Sequence, residues 1–325
     1  MRGMIEILYK ILEILVFPGF TFIGLLSLLY EWIDRKFYAR LQNRVGPLYA
    51  GPHGILQPLA DFIKLLAKED ITPQAADKLL FTLTPIIFFT LNLLLTLLLP
   101  IYSTSGVISF TGDLIFFVAS LTIISIIVYT AGIASVNRFA TIGAERAMLQ
   151  LIGYEIPFML SIISVALTAN SLTIRNIVEK QSGLWYVFGP HILSFIIFVI
   201  TAQAELERVP FDIPEAEQEI VAGWLVEFSG KKLALFRIGR DIETLLLCGL
   251  GAALFLGGPA GPVIPGLEPL LYTLYFVLKS IVILLILTTL RAIFARMRID
   301  QMINISWKYL IPLALISVLL ARVIY

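Results

Sequence analysis

Residues 114–134 read L-I-F-F-V-A-S-L-T-I-I-S-I-I-V-Y-T-A-G-I-A, twenty-one positions without a charge. A helix rising about 1.5 Å per residue is then long enough to cross a hydrocarbon core of roughly 30 Å. Working outward, seven more segments have the same character: Ile11–Tyr30, Leu79–Leu99, Met148–Leu167, His191–Ala204, Ile242–Leu256, Leu270–Leu290 and Tyr309–Ile324. Pro18 and Pro157 sit inside two of them, as packed membrane helices allow. The fifth and sixth segments are short. Extending them into neighbouring polar residues would carry carboxylates to membrane depth. The reading is an all-α, polytopic membrane protein of about eight transmembrane helices, a single transmembrane domain over 1–325. It shows no internal repeat and no linker long or polar enough to divide it.

Composition agrees. The chain has 325 residues, 58% hydrophobic and 14% charged, with a mean hydropathy of +0.91. A soluble domain typically has about 25% charged residues, so lipid must act as solvent for much of this surface. The net charge of +1 and the scattering of Lys and Arg among loops exclude a nucleic-acid binder, which needs a concentrated basic face. Cys248 is the only cysteine and lies in an apolar run, while His53 and His191 are far apart. No metal signature results, and this chain alone is expected to hold neither zinc nor an iron–sulfur cluster. Arg2, Glu6, Lys10 and Glu13 interrupt the N-terminal run, so a retained first span is expected there rather than a cleaved signal.

Eight spans put alternate loops on one side. The loops after spans one, three, five and seven hold 7, 2, 5 and 4 Lys or Arg. The stretches Pro100–Asp113 and Gly257–Pro269 hold none. The positive-inside rule then predicts both termini outside and the basic loops in the cytoplasm of a cell-membrane protein.

The first basic loop carries a short amphipathic pattern. Gln57, Asp61, Lys64 and Lys68 share one helical face; Ile55, Leu59, Phe62, Ile63 and Leu66 fill the other, with Pro58 in the first turn. Such a helix lies at an interface. It is either a passive surface element or the rim for a docked partner or an amphipathic substrate.

The loop after span five is richer in carboxylates than topology requires. Between Glu205 and Glu227 come Glu205, Glu207, Asp212, Glu215, Glu217, Glu219 and Glu227, with Arg208 as the only cation. Pro210 and Pro214 bracket Phe211-Asp212, and from Glu215 the pattern predicts a helix that puts Glu217 and Glu227 on the face of Ile220, Val221, Trp224 and Phe228. Crowded, partly desolvated carboxylates titrate nearer neutrality and can exchange protons; the alternative is a solvated acidic face that docks a basic partner. Glu155 and Lys279 lie within spans four and seven. An ionisable residue at membrane depth costs about 2.5–3.5 kcal/mol on insertion scales, which favours a functional assignment. Glu145 and Arg146 can pair at the start of span four.

Four blocks resemble the family of the complex I H subunit, also called NADH dehydrogenase subunit 1. They are D-R-K-F-Y-A-R-L-Q-N-R-V-G-P with L-Q-P-L-A-D-F-I-K-L-L-A-K-E; A-S-V-N-R-F-A-T-I-G-A-E-R-A-M-L-Q-L-I-G-Y-E; P-F-D-I-P-E-A-E-Q-E-I-V-A-G-W-L-V-E-F-S-G; and R-A-I-F-A-R-M-R-I-D-Q-M-I-N-I-S-W-K. The resemblance implies an eight-span subunit between a cytoplasmic redox arm and antiporter-like membrane subunits. It implies that Glu155, Glu205, Asp212, Glu217, Glu219, Glu227 and Lys279 take part in ion coupling, and Glu215 of the same acidic block is read with them. The resemblance puts Arg35, Arg40 and Arg44 on the cytoplasmic rim and matches Arg291 in span seven; Asp61, Lys64, Arg208, Arg237, Arg240 and Arg291 are read with them as a partner-docking rim.

Two stretches depart from the quinone-reducing members. Where those read A-E-T-N-R, this chain has Ala204-Glu205-Leu206-Glu207-Arg208; where they read A-L-F-F-L-A-E-Y, it has Ala234-Leu235-Phe236-Arg237-Ile238-Gly239-Arg240-Asp241. The chain thus looks more like the corresponding subunit of ferredoxin-dependent membrane-bound hydrogenase or sulfane sulfur reductase complexes. The implied partners are nickel–iron-hydrogenase-like large and small subunits, an iron–sulfur subunit and antiporter-like subunits, with ferredoxin as donor and no redox centre in this chain. The other readings are a quinone-binding H subunit, a passive anchor for a hydrogenase-like arm, and a freestanding transporter, which lacks the expected paired interrupted spans.

Overall fold

The computed structural model describes residues 10–324 apart from Ser182 and Pro190. Arg2 and Glu6, on which the retained N-terminal span partly rests, lie outside the described residues. The twelve α-helices described are α1 (Phe20–Leu41), α2 (Gln57–Ala67), α3 (Lys78–Thr96), α4 (Asp113–Ala134), α5 (Arg138–Ala169), α6 (Ile174–Lys180), α7 (Ile192–Glu205), α8 (Glu217–Ile220), α9 (Gly230–Phe255), α10 (Glu268–Ile293), α11 (Ile299–Ile305) and α12 (Ile311–Ile324). No strand occurs among the described residues.

Six segments are long and apolar enough to span a membrane: Lys10–Leu41, α3, α4, α5, α10 and Ile299–Val323. The fifth and sixth predicted spans fall on the shorter apolar helix α7 and the partly charged helix α9, which are not among these six. The chain is therefore a polytopic α-helical membrane protein. Its spans overrun the apolar segments read from sequence. The first, after a break at residues 16–19, continues through Tyr30 to Leu41 and takes Asp34 with it, because that carboxylate is fully paired inside the bundle.

Helix α9 is the centre of the packing, against α1, α2, α3 and α10. Every residue from Ile242 to Phe255 is buried. Helix α5 packs on α4, α7 and α12. Large aromatic side chains fill the space between helices: Phe81 stacks on Phe228 with ring centroids 4.2 Å apart, and Phe236 meets Phe88, Trp224 and Phe228. The lipid-facing sides keep exposed leucine and isoleucine, for example Leu25, Ile115 and Leu278. Helix α2 leaves Leu59, Ile63 and Leu66 exposed, as an interfacial helix should.

Candidate functional site

The C-terminal ends of α1, α7 and α10 and the N-terminal end of α9 meet at one end of the bundle. Helix α2 and the loop 206–218 close over them. Between these elements lies a cavity of about 870 Å³. Its carboxylates are Glu31, Asp61, Glu207, Asp212, Glu215, Glu217 and Asp241; its cations include Arg35, Arg208, Arg237, Arg240, Arg291 and Arg296.

The walls are tied by ion pairs. Arg35 bridges Glu31 (2.5 Å) and Asp61 (2.6 Å), holding α2 against α1. Burial works against ionisation of Asp61, but hydrogen bonds from Arg35 and Gln57 outweigh it and hold its pKa below the ordinary value. Asp34 is buried and takes Arg208 at 3.4 Å, Arg291 at 3.0 Å and the Thr288 hydroxyl at 2.5 Å. Arg208 also donates to Thr244 Oγ1. One carboxylate therefore joins α1, α10, the 206–218 loop and, through Arg208, α9. The far end of the α2 loop is pinned by Lys232, which reaches Asp70 at 3.0 Å and Thr72 at 2.7 Å.

Deeper in the wall, Arg240 pairs with Glu207 at 2.6 Å and with Glu243 at 3.2 Å. Its guanidinium carbon lies 5.7 Å from the Phe88 ring centroid and 5.6 Å from that of Trp224. Trp224 Nε1 in turn donates to Glu207 at 3.3 Å. Glu207 has φ 50, a left-handed conformation uncommon outside glycine, which an ordinary loop residue would avoid. Beyond Glu243 comes Glu205, buried at the end of α7, on which the charges of Glu243 and Glu155 act and against which Tyr154 lies. Glu155 is half-buried between α4 and α5 and accepts a hydrogen bond from Thr122 at 2.6 Å.

On the loop, burial pushes the Asp212 pKa up to about 6; Arg296 opposes this and Glu207 adds to it. Burial and then repulsion from Glu207 raise Glu215 to about 7, against the pull of Arg240 and Arg237. Both carboxylates of this loop titrate near neutrality, where a proton can be taken up or given back.

The continuous helix predicted from Glu215 does not form. It stops after α8, because Val221 (φ 66) and Gly223 (φ 53) are left-handed, and a short 3-10 turn at Gly223–Leu225 follows. Pro214 O lies where a Cβ on residue 223 would stand, so the close return of the chain needs glycine. Trp224 and Phe228 still turn inward, but Val221 is 57% exposed, Glu217 and Glu219 face solvent, and Glu227 is half-buried with Asn137 as donor at 2.5 Å. Arg146 pairs with Glu219, not with Glu145, and its hydrogen bond to Glu219, partly opposed by burial, holds that carboxyl's pKa below the ordinary value.

Of the residues singled out in the sequence, the cavity gathers Asp212, Glu215, Glu217, Arg35, Asp61, Lys64, Arg208, Arg237, Arg240 and Arg291. Arg40 and Arg44 are exposed and outside its lining; Glu219 and Glu227 are also outside it. Lys279 has another setting, donating to Ala260 O at 2.7 Å with its ammonium 4.8 Å from the Trp185 ring centroid. Glu31, Asp34 and Glu243 carry no sequence signal that marks them for this site: Asp34 opens a basic run, and Glu243 is a single acid at the start of an apolar run.

Residues 12–322 match the family model described as NADH dehydrogenase. The chain is 38% identical over 293 residues to the H subunit of NADH-quinone oxidoreductase from Brevibacillus brevis, covering 90% of this chain and 87% of that one. It is 39% identical over 314 residues to the protein of the same name from Geobacillus thermodenitrificans, covering 96% and 92%. The corresponding protein of Dehalococcoides mccartyi is 36% identical over 301 residues, covering 93% and 83%.

Proposed function

The chain belongs to the NADH dehydrogenase family, as an H subunit of the complex I type, and on that footing we propose that it joins a cytoplasmic redox arm to an ion-translocating membrane arm. In this reading it is part of a respiratory oxidoreductase complex and couples electron transfer to ion movement through its carboxylates. The observation that carries the proposal is the succession Asp212, Glu215 and Glu207 on the cavity wall, then Glu243, Glu205 and Glu155 inside the bundle. Electron transfer above the cavity would change the protonation of Asp212 and Glu215. The interior carboxylates would pass that change, as protons or as charge, towards the neighbouring subunits.

The cavity's charge supports a donor complex of the ferredoxin-dependent hydrogenase or sulfur reductase type. Arg237, Arg240 and Asp241 occupy its lining, and Arg240 lies between two carboxylates. A quinone ring and tail need a mostly apolar slot with a few polar contacts. The partners would be nickel–iron-hydrogenase-like and iron–sulfur subunits on the cavity side and antiporter-like subunits in the membrane. Both termini would lie outside, with the cavity facing the cytoplasm.

The test has two parts. The chain is purified in mild detergent with whatever accompanies it, and the subunits are identified by mass spectrometry. The complex is then sealed into vesicles, and ion uptake is measured for the wild type and for Glu205→Gln and Glu215→Gln. Redox and antiporter-like partners, with uptake lost in both variants, are the expected result. Electron transfer in sealed vesicles without ion uptake by the wild type would reduce the chain to an anchor. The relatives' names favour a second reading in which the cavity takes a quinone, and lipid extraction of the complex distinguishes it: stoichiometric quinone would support that alternative.

A further inference from the structure

We infer that Arg240 is a shared counter-ion that links the cavity carboxylate Glu207 to the interior carboxylate Glu243, so that the charge state of one sets that of the other. The inference rests on the coupling function proposed above and names the residue through which it passes.

Four observations converge. The guanidinium makes ion pairs in two directions, Nη2 to Glu207 Oε2 at 2.6 Å and Nη1 to Glu243 Oε2 at 3.2 Å. Only Glu207 belongs to the cavity lining; Glu243 is 1% exposed. The guanidinium carbon lies 5.7 Å from the Phe88 ring centroid and 5.6 Å from that of Trp224, and Gly239 leaves room for Phe88, since a Cβ there would lie 2.5 Å from Phe88 Cε1. Trp224 Nε1 also binds Glu207, which fixes the cavity-side partner to the same ring that flanks the arginine.

The charged groups around the guanidinium are Glu207 and Glu215 from the loop and Glu243 from its own helix; Glu205 of α7 lies beyond Glu243. One fixed positive charge is thus offered to carboxylates on both sides of the wall. A fork of parallel N–H groups can divide its charge between two acceptors without leaving its place, which an ammonium on a flexible stem does less well.

The step balances. A proton from the cavity neutralises Glu207 and removes its claim on Arg240. The guanidinium then acts fully on Glu243 and holds that interior carboxylate more firmly in its charged form. One proton enters the set at Glu207, and Arg240 keeps its proton throughout.

The assembled complex in sealed vesicles tests this, driven by a reduced viologen dye, with uptake read by a pH-sensitive fluorescent amine and by a sodium tracer. Electrons transferred are counted in the same samples. Arg240→Gln is expected to lower uptake per electron by about fivefold or more. Arg240→Lys should recover part of the ratio, since it restores the charge but not the fork. Wild-type uptake per electron in Arg240→Gln overturns the inference. If Arg240→Gln does not assemble, Glu207→Gln decides: it removes the cavity-side partner alone and should lower the ratio similarly, and an unchanged ratio overturns the inference. A wild-type complex that moves no ion removes the coupling function itself; normal wild-type uptake with normal uptake in these variants removes only the role of Arg240.

Discussion

The carboxylate of Asp34 lies 3.0 Å from Arg291 Nη1, two helices joined by a charge pair at 1% exposure on the acid side. Arg208 and Thr288 complete its surroundings. Removing one partner of a buried charge set leaves the others unmatched, at a cost of about 3 kcal/mol where the cations stay desolvated. Arg291 is a third exposed and recovers some of that from water. Asp34→Ala is therefore expected to lower the thermal midpoint of the detergent-solubilised complex, and Asp34→Asn to do so less, because it keeps a hydrogen bond to Thr288. Equal midpoints for Asp34→Ala and wild type would show that the pair holds nothing together.

Asp212 and Glu215 give the loop a pH signature. Each carboxyl has a folded pKa above its ordinary value, about 6 against 3.8 and about 7 against 4.5. Between those values the folded chain binds more protons than the unfolded one, so stability falls as pH rises from about 4 to about 7. Asp212→Asn and Glu215→Gln cannot ionise. Midpoints recorded across that range should fall less steeply in either variant, and should lie above wild type at pH values above about 7. A slope as steep as wild type in both variants would mean that neither carboxyl is desolvated.

Hydropathy alone located the six helices long and apolar enough to cross a membrane, because lipid selects for uncharged runs such as residues 114–134. It placed their ends badly. Asp34 reads as a loop residue until Arg208, Arg291 and Thr288 are seen to surround it, and those partners come from distant parts of the chain. Glu243 is hidden for the complementary reason: a single carboxylate opening a run of leucines carries little sequence signal, and its partner Arg240 reads as part of the docking rim. The acidic block was legible as a site, but its helix was not. Glycine at 223 was the one local sign of a break, and helical spacing of Glu217, Ile220, Trp224 and Phe228 outweighed it. The three residues that line up at the wall, Glu207, Arg240 and Glu243, come together only when α9 is placed beside the loop.

That break gives a further prediction. Gly223 has φ 53, and a Cβ would lie 1.8 Å from Pro214 O. Gly223→Ala adds left-handed strain of about 1 kcal/mol and a backbone clash that cannot relax by a side-chain rotation. The segment that must yield carries Asp212 and Glu215. The variant is expected to shift the loop, with increased protease cleavage between residues 206 and 223 and reduced ion uptake. Cleavage and uptake like wild type would show that the loop absorbs a methyl group without moving.

Lys279 is a helical lysine whose bonds run to a loop. It sits on α10 at 8% exposure, donates to the Ala260 carbonyl at 2.7 Å and faces the Trp185 ring at 4.8 Å. Ala260 and Trp185 belong to the two connections that precede α10 and α7. A charged hydrogen bond contributes about 1.5–3 kcal/mol and a cation–π contact about 0.5–1 kcal/mol, offset by the cost of keeping an ammonium out of water. Lys279→Met keeps the stem and removes the ammonium. If the lysine acts as a tie between those connections, the variant lowers the thermal midpoint of the complex and leaves uptake per electron unchanged. The opposite pattern, an unchanged midpoint with lost uptake, would put Lys279 on the ion path with the carboxylates.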